Sequence, residues 1–99
     1  MTIKRNGVPT SAFTARRQDM RFQTLGDALG AVARVQWREY LCPLADVVIG
    51  GETTEPQAGD MLYEGTEQWE VATVSSDIPA VEQHENGNDW RVHCRKVVL

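Results

Sequence analysis

Turn signals recur at short intervals in the second half of the chain, and each separates two runs that favour strands. Gly50 and Gly51 lie between residues 46–49 (DVVI) and 52–55 (ETTE), and two glycines accept the positive φ angles that a two-residue hairpin needs. A second turn at residues 65–67 (GTE) separates residues 61–64 (MLYE) from residues 68–74 (QWEVATV). Such closely spaced hairpins predict an antiparallel sheet with little helix.

Residues 31–41 (AVARVQWREYL) predict a strand, because apolar and polar residues alternate over their central part. The two faces are an apolar one with Ala33, Val35, Trp37 and Leu41 and a polar one with Arg34, Gln36, Arg38 and Tyr40. A helix over residues 24–40 is the alternative, with Leu25, Leu29, Val32 and Gln36 at a spacing of about four. Gly26 and Gly30 count against this helix, since each costs about 1 kcal/mol relative to alanine.

The remaining segments complete the prediction. Residues 75–88 are polar and contain Pro79 and an Asn-Gly-Asn run, so we expect a long exposed loop. Residues 89–98 alternate Trp90, Val92 and Cys94 with charged residues, the pattern of a half-buried strand. Residues 1–30 give fewer signals, although residues 11–15 (SAFTA) are a candidate strand and residues 24–30 a loop or short turn.

The chain length fits a single core. With 99 residues, of which 41% are hydrophobic, we predict one domain over residues 1–99. Its class is all-β, or β with one short helix: a small antiparallel β-barrel or sandwich of five to six strands. No apolar run approaches the roughly 20 residues that span a bilayer, and the first residues lack the apolar stretch of a signal peptide. Two cysteines make no disulfide framework, so we expect a reducing cytoplasm.

Charge is divided into blocks along the chain. Residues 1–38 carry seven Lys and Arg against two Asp, and residues 39–88 carry eleven Asp and Glu without one Lys or Arg. The last eleven residues carry three cations against Asp89. We expect the blocks to neutralise one another across the fold. The alternative is a bipolar surface, which favours head-to-tail contact between copies of the chain.

Residues suited to catalysis or metal binding are few. His84, His93, Cys42 and Cys94 are possible metal ligands, but the chain has no close pair such as Cys-x-x-Cys. His93 and Cys94 are adjacent, so on a strand they point to opposite faces. A thiol enzyme that uses either cysteine with His84 stays open, although nothing nearby resembles an activating environment. We therefore predict no enzyme, no catalytic residue, no metal site and no cofactor.

Nucleic-acid binding is the second hypothesis. Five arginines between residues 16 and 38, with aromatic residues among them, fit a small β-barrel that binds DNA or RNA. However, the isoelectric point of about 5.0 is far below the value above roughly 9 of strong nucleic-acid binders.

Residues 37–97 resemble a known family. Residues 37–52 (WREYLCPLADVVIGGE) lead into residues 56–62 (PQAGDML), then to residues 69–74 (WEVATV), a polar loop and residues 90–95 (WRVHCR). This order resembles the small phage head–tail joining proteins, also called stopper or head-completion proteins, in their prophage-like version. In that family a Pro-x-x-Gly-Asp turn feeds a hairpin whose second strand ends in Glu-Val.

The resemblance implies a β-barrel subunit in a ring between portal and tail, around the channel through which DNA passes. Its partners would be other copies of the chain and portal or tail proteins, with DNA only as cargo, no membrane and no small-molecule substrate. The protein would be cytoplasmic during assembly and then part of the virion. An acidic surface from residues 39–88 would repel DNA phosphates.

The candidate interface residues come from three places. The hairpin at Gly50 and Gly51 is suited to adding strands to a neighbour's sheet. The loop 75–88 would reach the lumen or a neighbouring subunit, and a basic surface would lie on the strand at residues 31–41. Besides the two glycines, the candidate residues are Glu82, Glu85, Asn86, Arg34 and Arg38.

Overall fold

The computed structural model describes the backbone of residues 1–26 and 32–98 and the side chains of residues 1–18 and 35–96. Within these residues the chain is built from strands, with one three-residue 3-10 turn at Leu44–Asp46. The strands are β1 Thr2–Arg5, β2 Val8–Pro9, β3 Arg16–Gly26, β4 Val32–Pro43, β5 Val48–Ile49, β6 Glu52–Thr53, β7 Met61–Glu64, β8 Glu67–Val71, β9 Val81–Gln83 and β10 Asp89–Val98. The predicted all-β class is confirmed.

Eight strands form one antiparallel sheet in the order β2-β1-β7-β8-β10-β4-β3, with β9 paired to β10, while β5 and β6 form a separate hairpin. The sheet is open, so the predicted closed barrel is wrong, and there are more strands than the five to six expected. Closure would require β2 and β3 to pair, but β2 has two residues and Pro9 has no N–H to donate.

A three-stranded extension makes the molecule long, with dimensions of 47 × 29 × 20 Å. Strand β4 pairs with β10 over ten residue pairs and with β3 along its other edge. Strand β8 reaches β10 only at Cys94 and Arg95. Farther out, β10, β4 and β3 continue without another hydrogen-bonded neighbour among the described residues. We call residues 20–26, 32–38 and 94–98 the arm, which comprises this extension and the residues next to its junction with β8 at Cys94 and Arg95.

The strand predicted at residues 31–41 is confirmed as β4, which excludes the helix alternative for its described residues. Residues 27–31, including Gly30, lie outside the described part of the chain. In the first 26 residues, which gave the fewest signals, the structure has three strands. Residues 11–15, a candidate strand, are not in one.

The main core lies on the opposite face of β4 from the predicted apolar face. It is lined by Tyr40 and Cys42 of β4 and by Ile3, Phe13, Val47, Leu62, Trp69, Val71, Ala80, Val92 and Cys94. On the other face, Val35 and Trp37 form a smaller cluster with Ala72 and Val74 from the chain after β8. Both faces of β4 are therefore covered, and alternation along one strand does not indicate which face meets the larger core.

The segment 75–88 differs from the long exposed loop that we predicted. It contains β9, which pairs with Trp90–Val92 of β10, and a bridge between Ser75 and Ile78. The turn after β9 closes with hydrogen bonds from the His84 N–H to the Asp89 oxygen and from the Gly87 N–H to the His84 oxygen, both 2.9 Å. The polar composition concealed this strand because β9 is short and lies at an edge.

Candidate functional site

The ion pairs of the protein join its basic blocks to its acidic block. Among the described side chains, all but Arg16 with Asp89 connect a cation of residues 1–38 or 89–99 to a carboxylate of residues 39–88. These pairs are Arg5–Asp60, Arg17–Glu64, Arg38–Glu64, Arg38–Glu67, Arg91–Glu39, Arg91–Glu82, Arg95–Glu70 and Lys96–Glu67. The expectation that the blocks neutralise one another within the fold is confirmed.

The turn at residues 56–60, which carries the resemblance to the phage proteins, is held by Asp60. The Asp60 carboxylate accepts hydrogen bonds from Arg5 Nε and Nη2 at 2.9 and 2.8 Å, and from the Gln57 N–H at 2.9 Å. Arg5 also donates to the Glu55 carbonyl oxygen at 2.8 Å. This bidentate pair raises the pKa of Arg5 and fixes the turn against β1.

Gly59 completes the same turn with a φ of 95°, a conformation that residues with a Cβ rarely adopt. The Gly59 N–H donates to the Val71 oxygen at 2.8 Å, and the Val71 N–H donates to the Asp60 oxygen at 2.9 Å. The turn therefore leads into β7, and its hydrogen bonds connect it to the end of β8. The Gly-Asp of the sequence motif has a structural role here.

Glu64 is the centre of a second polar cluster, which joins the turn of the β7–β8 hairpin to β3 and β4. It accepts hydrogen bonds from Arg17 and from the Tyr40 hydroxyl, and Arg38 Nη1 lies 3.5 Å away. Burial pushes the pKa of Glu64 upward, but these hydrogen bonds and the charges of Arg17 and Arg38 outweigh it and lower the pKa. Burial raises the pKa of Tyr40 above its ordinary range.

Arg38 is enclosed by this cluster. Its guanidinium carbon lies 4.1 Å from the centroid of a Trp69 ring, a cation–π contact with a fully buried aromatic residue. Its Nη1 atom also lies 3.6 Å from Glu67. Arg38 is only 7% exposed, so the structure corrects its assignment to an interface, because its charge is balanced inside the fold.

On the other face of β10, buried His93 connects three segments. Its Nδ1 atom lies 3.0 Å from the Pro79 carbonyl oxygen, and its Nε2 atom lies 3.1 Å from the Glu39 carboxylate. The backbone N–H of His93 donates to the Ala80 oxygen at 2.8 Å. These contacts hold the chain before β9 against the sheet, so His93 has a packing role.

Both cysteines lie in the main core as free thiols. Burial raises the pKa of Cys42 to about 12 and raises that of Cys94 well above its ordinary value. His84 lies in the turn after β9, where its Nδ1 atom accepts a hydrogen bond from the Asn86 N–H at 3.2 Å. Within the described residues, no three potential metal ligands come together.

Of the other candidate interface residues, those with described side chains lie at or near the surface. Gly50 and Gly51 form the exposed turn of the β5–β6 hairpin, with φ angles of 63° and 83°. Glu85 and Asn86 are exposed in the turn after β9, and half-buried Glu82 pairs with Arg91. Arg34 lies on the arm, opposite Thr24 in the sheet, and its side chain is outside the described part.

One end of the molecule carries carboxylates that form no ion pair with a described side chain. Asp46, Glu52 and Glu55 lie in the segment that follows the end of β4 farthest from the arm, and all three are exposed. We call residues 44–55 the acidic end. The arm at the far end of β4 contains Arg21 and Arg34.

The arginines and aromatic residues proposed for nucleic-acid binding are largely used in the fold. Arg16 and Arg17 pair with carboxylates, and Arg38 is buried. Trp37 and Tyr40 are 8% and 0% exposed, which leaves little ring surface on which bases could stack. These contacts weigh against the second hypothesis.

The described residues also include no helix with the length and apolar character to cross a membrane.

The fold and its polar contacts define a small, open antiparallel β-sheet domain whose charged clusters are committed to holding its strands together. The sequence model described as phage head-tail joining protein matches residues 4–98, so the chain belongs to that family. The match confirms the resemblance and extends it into the first third of the chain. Comparisons with curated proteins and with solved structures gave no match.

Proposed function

We propose that this protein is a structural subunit of the head–tail junction of a phage or prophage particle and carries out no reaction. It would form a ring with copies of itself and contact the portal or tail proteins on either side. It would assemble in the cytoplasm and become part of the virion. The observation that carries the proposal is the family match over residues 4–98.

The distribution of charge supports head-to-tail contact between subunits. The acidic end has three exposed carboxylates without an ion pair to a described side chain, and the arm has Arg21 and Arg34 at the other end of β4. Opposite potentials at the two ends steer one copy toward the next and disfavour contact between like ends. Head-to-tail contacts close into rings when the rotation between copies permits.

The acidic block also suits a subunit that DNA passes without binding. Residues 39–88 contain no Lys or Arg, and most of the described cations elsewhere in the chain form ion pairs with carboxylates of this block. A surface with unpaired carboxylates repels phosphates and releases no counterions to drive association. DNA is then cargo, and the contacts that matter are between proteins.

The test is the mass of the purified protein over a wide concentration range, alone and with the portal protein of the same phage or prophage. Light scattering should show a large oligomer, and electron microscopy should show a ring seated on the portal. A control with a portal protein from an unrelated phage should give no seated ring. A chain that stays monomeric in every mixture would refute the proposal.

A further inference from the structure

The chain contains two Asn-Gly dipeptides, and each lies in a turn between two paired strands. Asn6 and Gly7 join β1 to β2, and Asn86 and Gly87 lie between β9 and β10. Asparagine followed by glycine is prone to spontaneous deamidation, because glycine has no side chain to obstruct attack by its backbone nitrogen. Since the same dipeptide occurs in two settings of one molecule, the effect of structure on this reaction can be separated from that of sequence.

Deamidation requires a mobile asparagine side chain and a free N–H on the following residue. The glycine nitrogen gives its proton to a solvent base and attacks the side-chain carbonyl carbon of asparagine. The amide nitrogen takes up a proton and leaves as ammonia. Water then opens the resulting succinimide ring and gives aspartate or isoaspartate. Hydrogen bonds to the amide group or to the glycine N–H oppose this reaction, because they have to break before the two atoms can meet.

Hydrogen bonds hold all of these groups at Asn86. Its Nδ2 atom donates to Asp89 Oδ2 at 3.0 Å, and its Oδ1 atom accepts a hydrogen bond from the Asn88 N–H at 2.8 Å. The Gly87 N–H, which would supply the attacking nitrogen, donates to the His84 oxygen at 2.9 Å. Reaction at this turn therefore requires several hydrogen bonds to be broken together.

The same groups at Asn6 have no hydrogen bond. Asn6 and Gly7 are exposed, and within the described residues neither the Asn6 side chain nor the Gly7 N–H has a partner. Their φ angles of 50° and 80° belong to a two-residue hairpin turn. Strand β2 has only two residues, and Pro9 has no N–H to donate. Few contacts therefore oppose a local rotation at the tip of this hairpin.

We propose that Asn6 is a site of spontaneous deamidation in the folded protein and that the fold protects Asn86 from the same reaction. The inference does not depend on the proposed function. Aspartate at position 6 keeps the turn, since Asp-Gly adopts the same conformation. Isoaspartate lengthens the backbone of the turn by a methylene group, so the register in which Arg5 pairs with Val8 is lost.

Peptide mass spectrometry after incubation of the protein at mildly alkaline pH tests the selectivity. In the folded wild type, Asn6 should convert at least about tenfold faster than Asn86. In urea, where both turns are lost, the two rates should agree within about threefold, because the dipeptides are the same. Equal rates in the folded protein, or faster conversion of Asn86, would overturn the inference.

A variant tests the cause of the protection. Asp89→Ala removes the acceptor of the Asn86 amide and should speed the conversion of Asn86 at least about threefold. Asn6 in the same molecule is the internal reference and should keep its rate. Circular dichroism establishes that the variant keeps the wild-type sheet. An unchanged rate at Asn86 would contradict the protective role of these hydrogen bonds.

Hydrogen exchange tests the consequence for β2. The Thr10 N–H donates to the Ile3 oxygen at 2.8 Å in the folded chain. In the purified isoaspartate product this amide should exchange at least about tenfold faster than in the wild type, whereas in Asn6→Asp it should stay within about threefold. Wild-type exchange in the isoaspartate product would show that the hairpin register survives the modification and would overturn this part of the inference.

Discussion

Arg5 and Asp60 are 55 positions apart in the sequence and are joined by two hydrogen bonds, from Nε to Oδ1 at 2.9 Å and from Nη2 to Oδ2 at 2.8 Å. The Asp60 side chain is only 4% exposed, whereas that of Arg5 is 23% exposed. The pair connects β1 to the turn that begins β7. The first strand of the chain is thereby attached to the segment that carries the family motif.

Asp60→Asn should destabilise the protein by about 3 kcal/mol, because the variant leaves a partly buried guanidinium without its carboxylate. Urea unfolding followed by tryptophan fluorescence would measure the loss, since Trp69 is fully buried. Arg5→Lys should also destabilise, because an ammonium cannot form both parallel bonds. Glu55→Gln is the matched control at an exposed carboxylate. A stability for Asp60→Asn equal to that of this control would contradict the structural role of the pair.

Glu64 should make the fold sensitive to acid. Its pKa is lowered in the folded protein, so its contribution to stability is present above the unfolded value of about 4.5 and is lost as the pH falls through the folded value. Between pH 6 and pH 3, the wild type should therefore lose more unfolding free energy than Glu64→Gln, which has no proton to bind there. Urea unfolding of both proteins at several pH values in this range would measure the slope of the unfolding free energy against pH for each. Identical slopes would show that Glu64 is not held in its ionised form by Arg17 and Tyr40.

The local turns were predictable from sequence, whereas the polar clusters were not. Gly50, Gly51 and the turn before β7 were predictable because glycine and proline favour turns through their own backbone conformation. The partners of Asp60 and Glu64 come from β1, β3 and β4, and many carboxylates of the acidic block are equivalent in sequence. Only the register of the sheet decides which of them meets Arg5 or Arg38.

The assignment of Arg38 to the surface failed for a related reason. Alternation on β4 placed it with the polar residues, and polar residues are generally exposed. In the structure that face meets the main core, where Trp69, Glu64 and Glu67 surround the guanidinium. No local sequence pattern identifies a buried arginine that is enclosed by an aromatic ring and carboxylates.

Gly59→Ala tests whether the turn at residues 56–60 requires a positive φ angle at this position. A Cβ at this position would meet no atom within 4 Å, while the φ angle is 95°. The substitution should therefore cost about 1–2 kcal/mol through backbone conformation alone, with no packing defect. Thermal and urea unfolding would measure it against Ala58→Ser, an exposed change in the same turn. An unchanged stability would mean that the turn readily adopts another conformation.

The two native thiols should react slowly while the fold is intact. Burial raises the pKa of Cys42 to about 12, so at pH 8 only about one thiol in ten thousand would be ionised, and only the thiolate is nucleophilic. A chromogenic disulfide reagent should modify Cys42 and Cys94 at least about a hundredfold more slowly in the folded protein than in urea. Thr53→Cys, at an exposed position of the β5–β6 hairpin, provides a rapidly reacting control in the same molecule. Fast modification of either native cysteine in the folded protein would restore the thiol-enzyme hypothesis that its burial now argues against.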